Sequence, residues 1–207
     1  MIINENSKIV QKSLYTSGNI IITIIFGILW GLSEIYLSPF LKGFRLPITG
    51  VVLTAIAIII AFTGRYFAQS PGTILFMGLI AASMKLFSNY NIALCPTRAI
   101  MIEALIAEFV FLILRVRFIS FIAAGGILLV YVSFHSIFSK SFGFSQWLDI
   151  YNAPIFDRIA HTLVIDADLR FWIISLYFLI HILVGLFAAS LAWSFSKTLA
   201  NKFSYGD

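Results

Sequence analysis

The chain has 207 residues, of which 60% are hydrophobic, 16% are aromatic and only 11% are charged. Soluble globular proteins carry about 25% charged residues and about 45–50% apolar ones. A sphere of this size has too little interior to hide so much apolar surface from water. Disordered chains, in turn, are polar and poor in aromatic residues. The composition therefore excludes a soluble domain and a disordered chain, and it predicts a protein that lies in a bilayer.

Charge and cysteine content exclude two further classes. The net charge of +5 comes from single bases scattered between apolar runs, without the basic stripe or module of a nucleic-acid-binding protein. The one cysteine, Cys95, excludes an internal disulfide and a cysteine-rich metal cluster. We therefore expect no nucleic-acid partner, and we interpret the bases as signals of membrane topology.

A membrane-spanning helix needs about 20 largely apolar residues, and six stretches of the chain meet or approach that length. They are residues 19–41, 46–68, 72–87, 99–114, 118–138 and 171–195. The first ends near Pro39 and Lys42. The fourth is so short that we expect neighbouring helices to shield it or one end to extend. The pattern predicts an all-α integral membrane protein, a single domain over residues 1–207 folded as a bundle of six transmembrane helices.

Four of the five connections are short, so that sequential helices are predicted to be antiparallel neighbours. The long connection, residues 139–170, mixes charged and apolar residues and is predicted to be a structured lid or an interfacial helix. The side with both termini holds Lys8, Lys12, Arg65, Arg115, Arg117, Lys197 and Lys202. The other side also holds seven bases, but four of them lie in the long connection or within a span and are discounted. We therefore expect both termini to face the cytoplasm, in a multi-pass protein of the cytoplasmic membrane.

Ionisable residues inside membrane spans are costly and mark function by default. The spans contain Glu34, Lys85, Glu103, Glu108, His135 and His181. Helical rise puts Glu34, Lys85, Glu103 and His135 at compatible depths in the outer half of the membrane. This predicts a polar pocket that is open to the outside and covered by residues 42–47 and 139–170. Glu108 and His181 lie nearer the middle, where we expect each to make a satisfied interhelical hydrogen bond.

A structural interpretation of the same charges stays open. Glu34 or Glu103 could pair with Lys85 or Arg98 and lock the helices together, because buried ion pairs can be purely structural. We favour the pocket, since carboxylates would remain after both bases were used.

Small residues form a stripe on the first span. Thr23, Gly27 and Gly31 recur at a spacing of four, and such stripes let helix backbones approach closely in lipid. The stripe either packs the bundle or docks a separate membrane subunit.

Enzyme signatures are missing from the sequence. It contains no H-E-x-x-H, no G-x-S-x-G and no glycine-rich phosphate-binding loop followed by Lys and Ser or Thr. Glu103 and Glu108 point about 140° apart on a helix, so they do not form a general acid–base pair. We therefore expect neither an enzyme nor a resident metal or cofactor, and no means of driving transport with ATP in this chain alone.

Four motifs resemble those of a known family. They are Trp30-Gly31-x-x-Glu34, Gly64-Arg65, Gly78-x-x-Ala81-x-x-x-Lys85 and Pro96-x-x-Ala99-x-x-x-Glu103. With six spans in about 200 residues, the chain resembles the substrate-binding S component of energy-coupling-factor (ECF) ABC transporters, in a branch whose ligands are mostly unassigned. The likeness covers mainly the first four spans.

The resemblance implies a specific function. S components capture vitamins, cofactor precursors or metal-related ligands from outside and dock on a coupling transmembrane subunit bound to two ATPases. The family's A-x-x-x-A docking motif is absent here, and Thr23, Gly27 and Gly31 occupy the comparable face.

The leading hypothesis is therefore the substrate-capturing subunit of an ECF-type importer. The candidate ligand-binding residues are Glu34, Lys85, Arg98, Glu103, His135 and Trp30. Their mixed charges suit a zwitterionic or polar small molecule, while aromatic stacking on Trp30 or Tyr36 is equally compatible. The first alternative is a non-catalytic accessory subunit of a larger membrane complex. An intramembrane enzyme that uses the carboxylates and a histidine is a third hypothesis, and it is less favoured.

Overall fold

The computed structural model describes residues 17–43, 49–88, 90–138 and 170–204. Within these ranges the protein consists of six α-helices and contains no strand, which confirms the all-helical class. The helices are α1 (Ser17–Gly43), α2 (Thr49–Phe67), α3 (Thr73–Ser88), α4 (Tyr90–Leu114), α5 (Phe118–Phe138) and α6 (Arg170–Ser204). The predicted lid at 139–170 and most of the covering loop at 42–47 lie outside the described residues.

Four of the helices are long and apolar enough to cross a membrane. They contain the apolar segments Ser17–Leu41, Thr49–Phe67, Phe118–His135 and Ser175–Lys202, and α3 is a shorter apolar helix. Large aliphatic and aromatic side chains such as Ile24, Phe109 and Leu183 are exposed on the outside of the bundle. Such a coat matches lipid tails rather than water. These helices indicate a multi-pass membrane protein, and the number of six spans stays a prediction.

Two helices, α1 and α4, run past boundaries that proline and charged residues predict. α1 passes through Pro39 and reaches Gly43, and α4 begins at Tyr90 and contains Pro96. Proline is tolerated in membrane helices where neighbouring groups satisfy the freed backbone. The extension gives α4 25 residues, or about 37 Å at helical rise. The predicted extension of this helix at one end is therefore present, while its crossing of a membrane stays a prediction.

The close helix contacts are made at small residues. Gly27 and Gly31 of α1 lie against the stretch of α3 from Met77 to Met84, so that α1 and α3 run parallel. Gly125 of α5 and Gly185 of α6 meet backbone to backbone, and these two helices are antiparallel. Each contact leaves too little room for a larger side chain, and this closeness sets the register of the pair.

Helix α2 lies in the centre of the bundle and contacts α1, α3, α5 and α6. Its Phe62 makes edge-to-face contacts with Phe111 of α4 and Phe121 of α5. We call the end of the bundle where α1, α3 and α5 begin the Ser17 end, and the opposite end the Gly43 end. The predicted cytoplasmic side is the Ser17 end.

Candidate functional site

Two helices contribute a buried ion pair near the Gly43 end. Lys85 Nζ lies 3.7 Å from Glu34 Oε2 and also donates a hydrogen bond to the backbone oxygen of Glu34. Both side chains are buried. Of the pairings that the sequence left open, the structure therefore contains that of Glu34 with Lys85.

A second carboxylate, that of Glu103 on α4, is buried close to this pair. Its Oε1 accepts a hydrogen bond of 3.1 Å from the Thr54 hydroxyl of α2, and it lies within Coulombic range of Glu34. We call Glu34, Thr54, Lys85 and Glu103 the Glu103 cluster. Four helices, α1 to α4, each contribute one polar side chain to it.

The indole of Trp30 lies one turn before Glu34 on the same face of α1. The residue is only 2% exposed, and its ring packs where Gly78 leaves space between α1 and α3. The indole Nε1 has no hydrogen-bond partner within the described ranges. A buried donor without a partner is rare, and this one lies in the helix layer next to the Glu103 cluster.

The other two predicted ligand-binding residues lie elsewhere. Arg98 is exposed on α4 and forms no ion pair with any residue that the structure describes. His135 is half-buried on α5, where its ring stacks on Tyr131 with centroids 5.8 Å apart. Val132 on the same helix lies close to Gly50, which places this part of α5 beside the start of α2.

A different buried pair lies near the Ser17 end. Glu108 of α4 accepts hydrogen bonds from the backbone amides of Gly72 at 2.7 Å and Ile74 at 2.8 Å. Its Oε1 also lies 3.5 Å from the Arg65 guanidinium of α2. The carboxylate therefore occupies the N-terminus of α3, where the helix dipole and the first amides favour negative charge.

Arg65 completes this network by holding the turn between α2 and α3. Its guanidinium donates to the backbone oxygens of Ala68 and Ser70. The Ser70 hydroxyl accepts a hydrogen bond of 2.8 Å from Asn19 of α1. We call Arg65, Glu108 and the α2–α3 turn the Arg65 cluster. Charge-assisted hydrogen bonds of this cluster connect α2, α3 and α4, and the neutral bond from Asn19 to Ser70 adds α1.

The Arg65 cluster corrects one sequence interpretation and confirms another. Arg65 was expected to be a topology signal on the membrane surface, but it is 3% exposed in the last turn of α2. The expected interhelical hydrogen bonds of Glu108 are present. A lone glutamate in an apolar helix needs a base or donors nearby, and that requirement is the sequence signal that could have identified a partner such as Arg65.

His181 behaves differently from the expectation. Its ring hydrogen-bonds to the Tyr177 backbone oxygen at 2.7 Å, one turn earlier in the same helix. The described bond is therefore made within α6 instead of between helices.

The predicted docking stripe faces the inside of the protein. A Cβ added at Gly27 would lie 3.0 Å from Ile80, and one added at Gly31 would lie 2.6 Å from Met84. The hydroxyl of Thr23 donates to the Asn19 backbone oxygen. The two glycines therefore pack the bundle, which is one of the two roles that the sequence allows for this stripe.

No metal site is formed by the part of the chain that the structure describes, since it holds no group of three or more His, Cys, Asp or Glu side chains arranged for an ion. Comparisons of the chain with known protein families, with curated proteins and with solved structures find no match. Function is therefore argued from the geometry of the clusters.

Proposed function

We propose that the protein is the substrate-capturing membrane subunit of an ECF-type importer. In this role it binds a vitamin, a cofactor precursor or a similar small molecule at the Gly43 end, which faces the outside of the cytoplasmic membrane. It then delivers the molecule by docking on a coupling transmembrane subunit with two ATPases. The four quoted motifs support this assignment, because three of them supply Glu34, Lys85 and Glu103.

The observation that carries the proposal is the unused binding capacity around Glu103. One hydrogen bond to this carboxyl group is described, from Thr54, although a carboxyl group has several hydrogen-bonding positions on its two oxygens. The Trp30 indole supplies a buried donor with no partner among the described side chains and backbone groups. Buried polar groups are normally satisfied, so that an acceptor and a donor with spare capacity favour a ligand that completes both.

The same groups define the chemistry of the ligand. A ligand group with N–H or O–H donors satisfies the Glu103 carboxylate, and a ligand acceptor satisfies the Trp30 indole. With Lys85 paired to Glu34, Glu103 is the carboxyl group of the cluster that has no described base. A small polar molecule that carries both donors and acceptors matches this arrangement.

A second candidate function, an accessory subunit without a ligand, is favoured by a different observation. The buried charges form the ion pairs Glu34–Lys85 and Glu108–Arg65 within the protein, and Gly27 and Gly31 pack internally. On this hypothesis the charges only stabilise the bundle.

Native mass spectrometry of the full chain, purified in mild detergent, separates the two functions. We expect a small molecule to copurify with the wild-type protein and to be lost from Glu103→Gln, with the melting temperature nearly unchanged, because the amide oxygen keeps the bond from Thr54 but an NH2 donor replaces the second carboxyl oxygen. Glu108→Gln is the matched control, since it is the same change on the same helix. It should lower stability and leave the occupancy per folded molecule unchanged.

Two outcomes would contradict the proposal. A wild-type protein that carries no small molecule after gentle purification would favour the accessory subunit. Equal small-molecule occupancy in the wild type and in Glu103→Gln would show that Glu103 does not contribute to the binding site.

A further inference from the structure

Three exposed bases lie at the Ser17 end of the bundle, one of them over the ring of a tryptophan. Arg115 and Arg117 lie in the turn between α4 and α5, and Lys197 lies on α6. Lys197 Nζ is 5.2 Å from the centroid of the Trp193 ring, and Phe118, next to Arg117, contacts the same ring with centroids 5.8 Å apart. We call Arg115, Arg117 and Lys197 the basic patch.

The backbone at Arg115 adopts a conformation that favours glycine. Arg115 follows the last residue of α4 and has a φ of 58°, which is the left-handed region. Glycine is the usual residue at this position after a helix, because a side chain is strained there. A residue other than glycine in this strained conformation points to a function for its side chain.

Arg117 is a base at a helix N-terminus, where the helix dipole disfavours positive charge. Its backbone oxygen accepts hydrogen bonds from the amides of Ser120 at 3.1 Å and Phe121 at 3.3 Å, so it caps the N-terminus of α5. The Ser120 hydroxyl bonds back to the backbone amide and oxygen of Arg117. Helix N-termini favour negative charge and disfavour a base. An anion held there interacts favourably with the helix end and with the guanidinium together.

No acidic side chain within the described ranges is available to neutralise this patch. The described carboxylates are those of Glu34, Glu103 and Glu108, and all three are buried. Glu108, which lies nearest to this end in the chain, is held by Arg65 and the start of α3. Among the described residues the patch therefore has three positive charges and no acidic partner.

The surroundings of the patch identify the kind of anion. Ile113, Ile119 and Phe195 are exposed beside it and are more than half accessible, as expected of side chains that face lipid tails. Trp193 and Tyr66 are in ring contact here, and such aromatic residues are typical of the membrane–water interface. We infer that the basic patch binds an anionic phospholipid, with its phosphate between the three bases and its acyl chains along these apolar residues. The site is separate from the Glu103 cluster and does not depend on the proposed function.

Lipid titrations of the full chain in neutral detergent, followed by native mass spectrometry, test this inference. We expect phosphatidylglycerol to bind more tightly than phosphatidylcholine with the same acyl chains. Each base near an anionic membrane surface contributes about a fivefold change in affinity. Arg117→Gln should therefore weaken phosphatidylglycerol about fivefold, and Arg115→Gly with Arg117→Gln about 25-fold if the two effects add.

The Arg115→Gly variant separates lipid binding from folding. Glycine relieves the strain at a φ of 58°, so that the melting temperature without anionic lipid should stay the same or rise. The same variant should lose part of the stabilisation that phosphatidylglycerol provides. A variant that merely damaged the fold would instead lower the melting temperature under both conditions.

Lys202→Gln is the matched control, because Lys202 is an exposed base on α6 that points about 140° away from Lys197. Lys202→Gln should leave phosphatidylglycerol affinity nearly unchanged. Lys197→Gln should lower this affinity as much as Arg117→Gln does, and Lys197→Gln serves as the test variant if Arg117→Gln does not fold. Equal binding of the two lipids, or an equal loss in Lys202→Gln, would overturn the inference. Displacement of the lipid by inorganic phosphate alone would also overturn it, since the site would then bind a free anion.

Discussion

The two ends of the bundle bury the same kind of group, a glutamate with a base, in different ways. At the Ser17 end, Glu108 accepts two backbone hydrogen bonds of 2.7 and 2.8 Å and lies 3.5 Å from Arg65. At the Gly43 end, Lys85 lies 3.7 Å from Glu34, and Glu103 has one described hydrogen bond, from Thr54. The Glu108 carboxylate therefore has three described partners, whereas the Glu103 carboxyl group has one and retains acceptor capacity.

This difference distinguishes a structural role from a binding role. A charge whose acceptor positions are filled by backbone amides cannot accept a ligand without breaking the helix start that it caps. A carboxylate with one hydroxyl partner can accept further donors at little structural cost. Buried charge alone therefore does not mark a binding site, whereas unused acceptor capacity on a buried carboxyl group, next to a donor without a partner, favours one.

The largest expected effect comes from Glu108→Ala. The change removes the acceptor of two amides at the start of α3 and leaves the Arg65 guanidinium buried without its carboxylate. Removing one partner of a buried ion pair costs about 3–5 kcal/mol in the free energy of unfolding. Thermal and chemical unfolding in detergent measure the loss. Glu103→Ala is the matched change at the other end, and an equal loss there would break the distinction between the clusters.

A smaller loss in the free energy of unfolding is expected for Lys85→Met, which leaves Glu34 buried without its base. We expect about 3 kcal/mol, the lower end of the range for breaking a buried pair, because the 3.7 Å contact is longer than the contacts of Glu108. The double variant Glu34→Gln with Lys85→Met should recover most of the loss, since no uncompensated charge remains. A double variant that is less stable than Lys85→Met would show that Glu34 has a further essential partner.

The smallest effect is expected for Thr54→Val, which removes the described hydrogen bond to Glu103. An intramolecular hydrogen bond contributes about 1 kcal/mol to the free energy of unfolding, and ligand occupancy should fall because Glu103 loses its positioning partner. Thr63→Val is the matched control on the same helix, since the buried Thr63 hydroxyl has no partner among the described residues. That change should be neutral or stabilising. Equal destabilisation by both variants would contradict a specific role of Thr54.

The sequence predicted much of the fold from local properties. Four of the predicted spans correspond to helices of sufficient length and hydropathy, and all six predicted segments lie largely within described helices. The ends of α1 and α4 were the exceptions. Proline and charged residues indicated a boundary near Pro39 and Arg98, yet the helix continues at both places. In a bundle, neighbouring helices can satisfy the backbone groups that proline leaves free.

Which charged residues pair with each other was less predictable from the sequence than where they lie in the spans. Hydropathy alone identified Glu34, Lys85, Glu103 and Glu108 as charges inside spans, and burial of all four agrees with this. It did not identify Arg65 as a member of the set, because a base in the last turn of an apolar helix has the same pattern whether it faces water or the core. Arg98 shows the reverse case, since it was a candidate for pairing and is exposed.

The sequence by itself determined that this chain is helical, that it suits a membrane and that it buries scarce charges, because these properties depend on the summed hydropathy of local segments. The tertiary structure decided which charges meet. Partner choice depends on the rotation and register of each helix, and these depend on where backbones approach most closely. At Gly27, Gly31 and Gly78 that approach fits α1, α3 and α4 together. The resulting register brings Glu34 to Lys85 and Glu108 to the start of α3, while the indole N–H of Trp30 stays buried beside the Glu103 cluster.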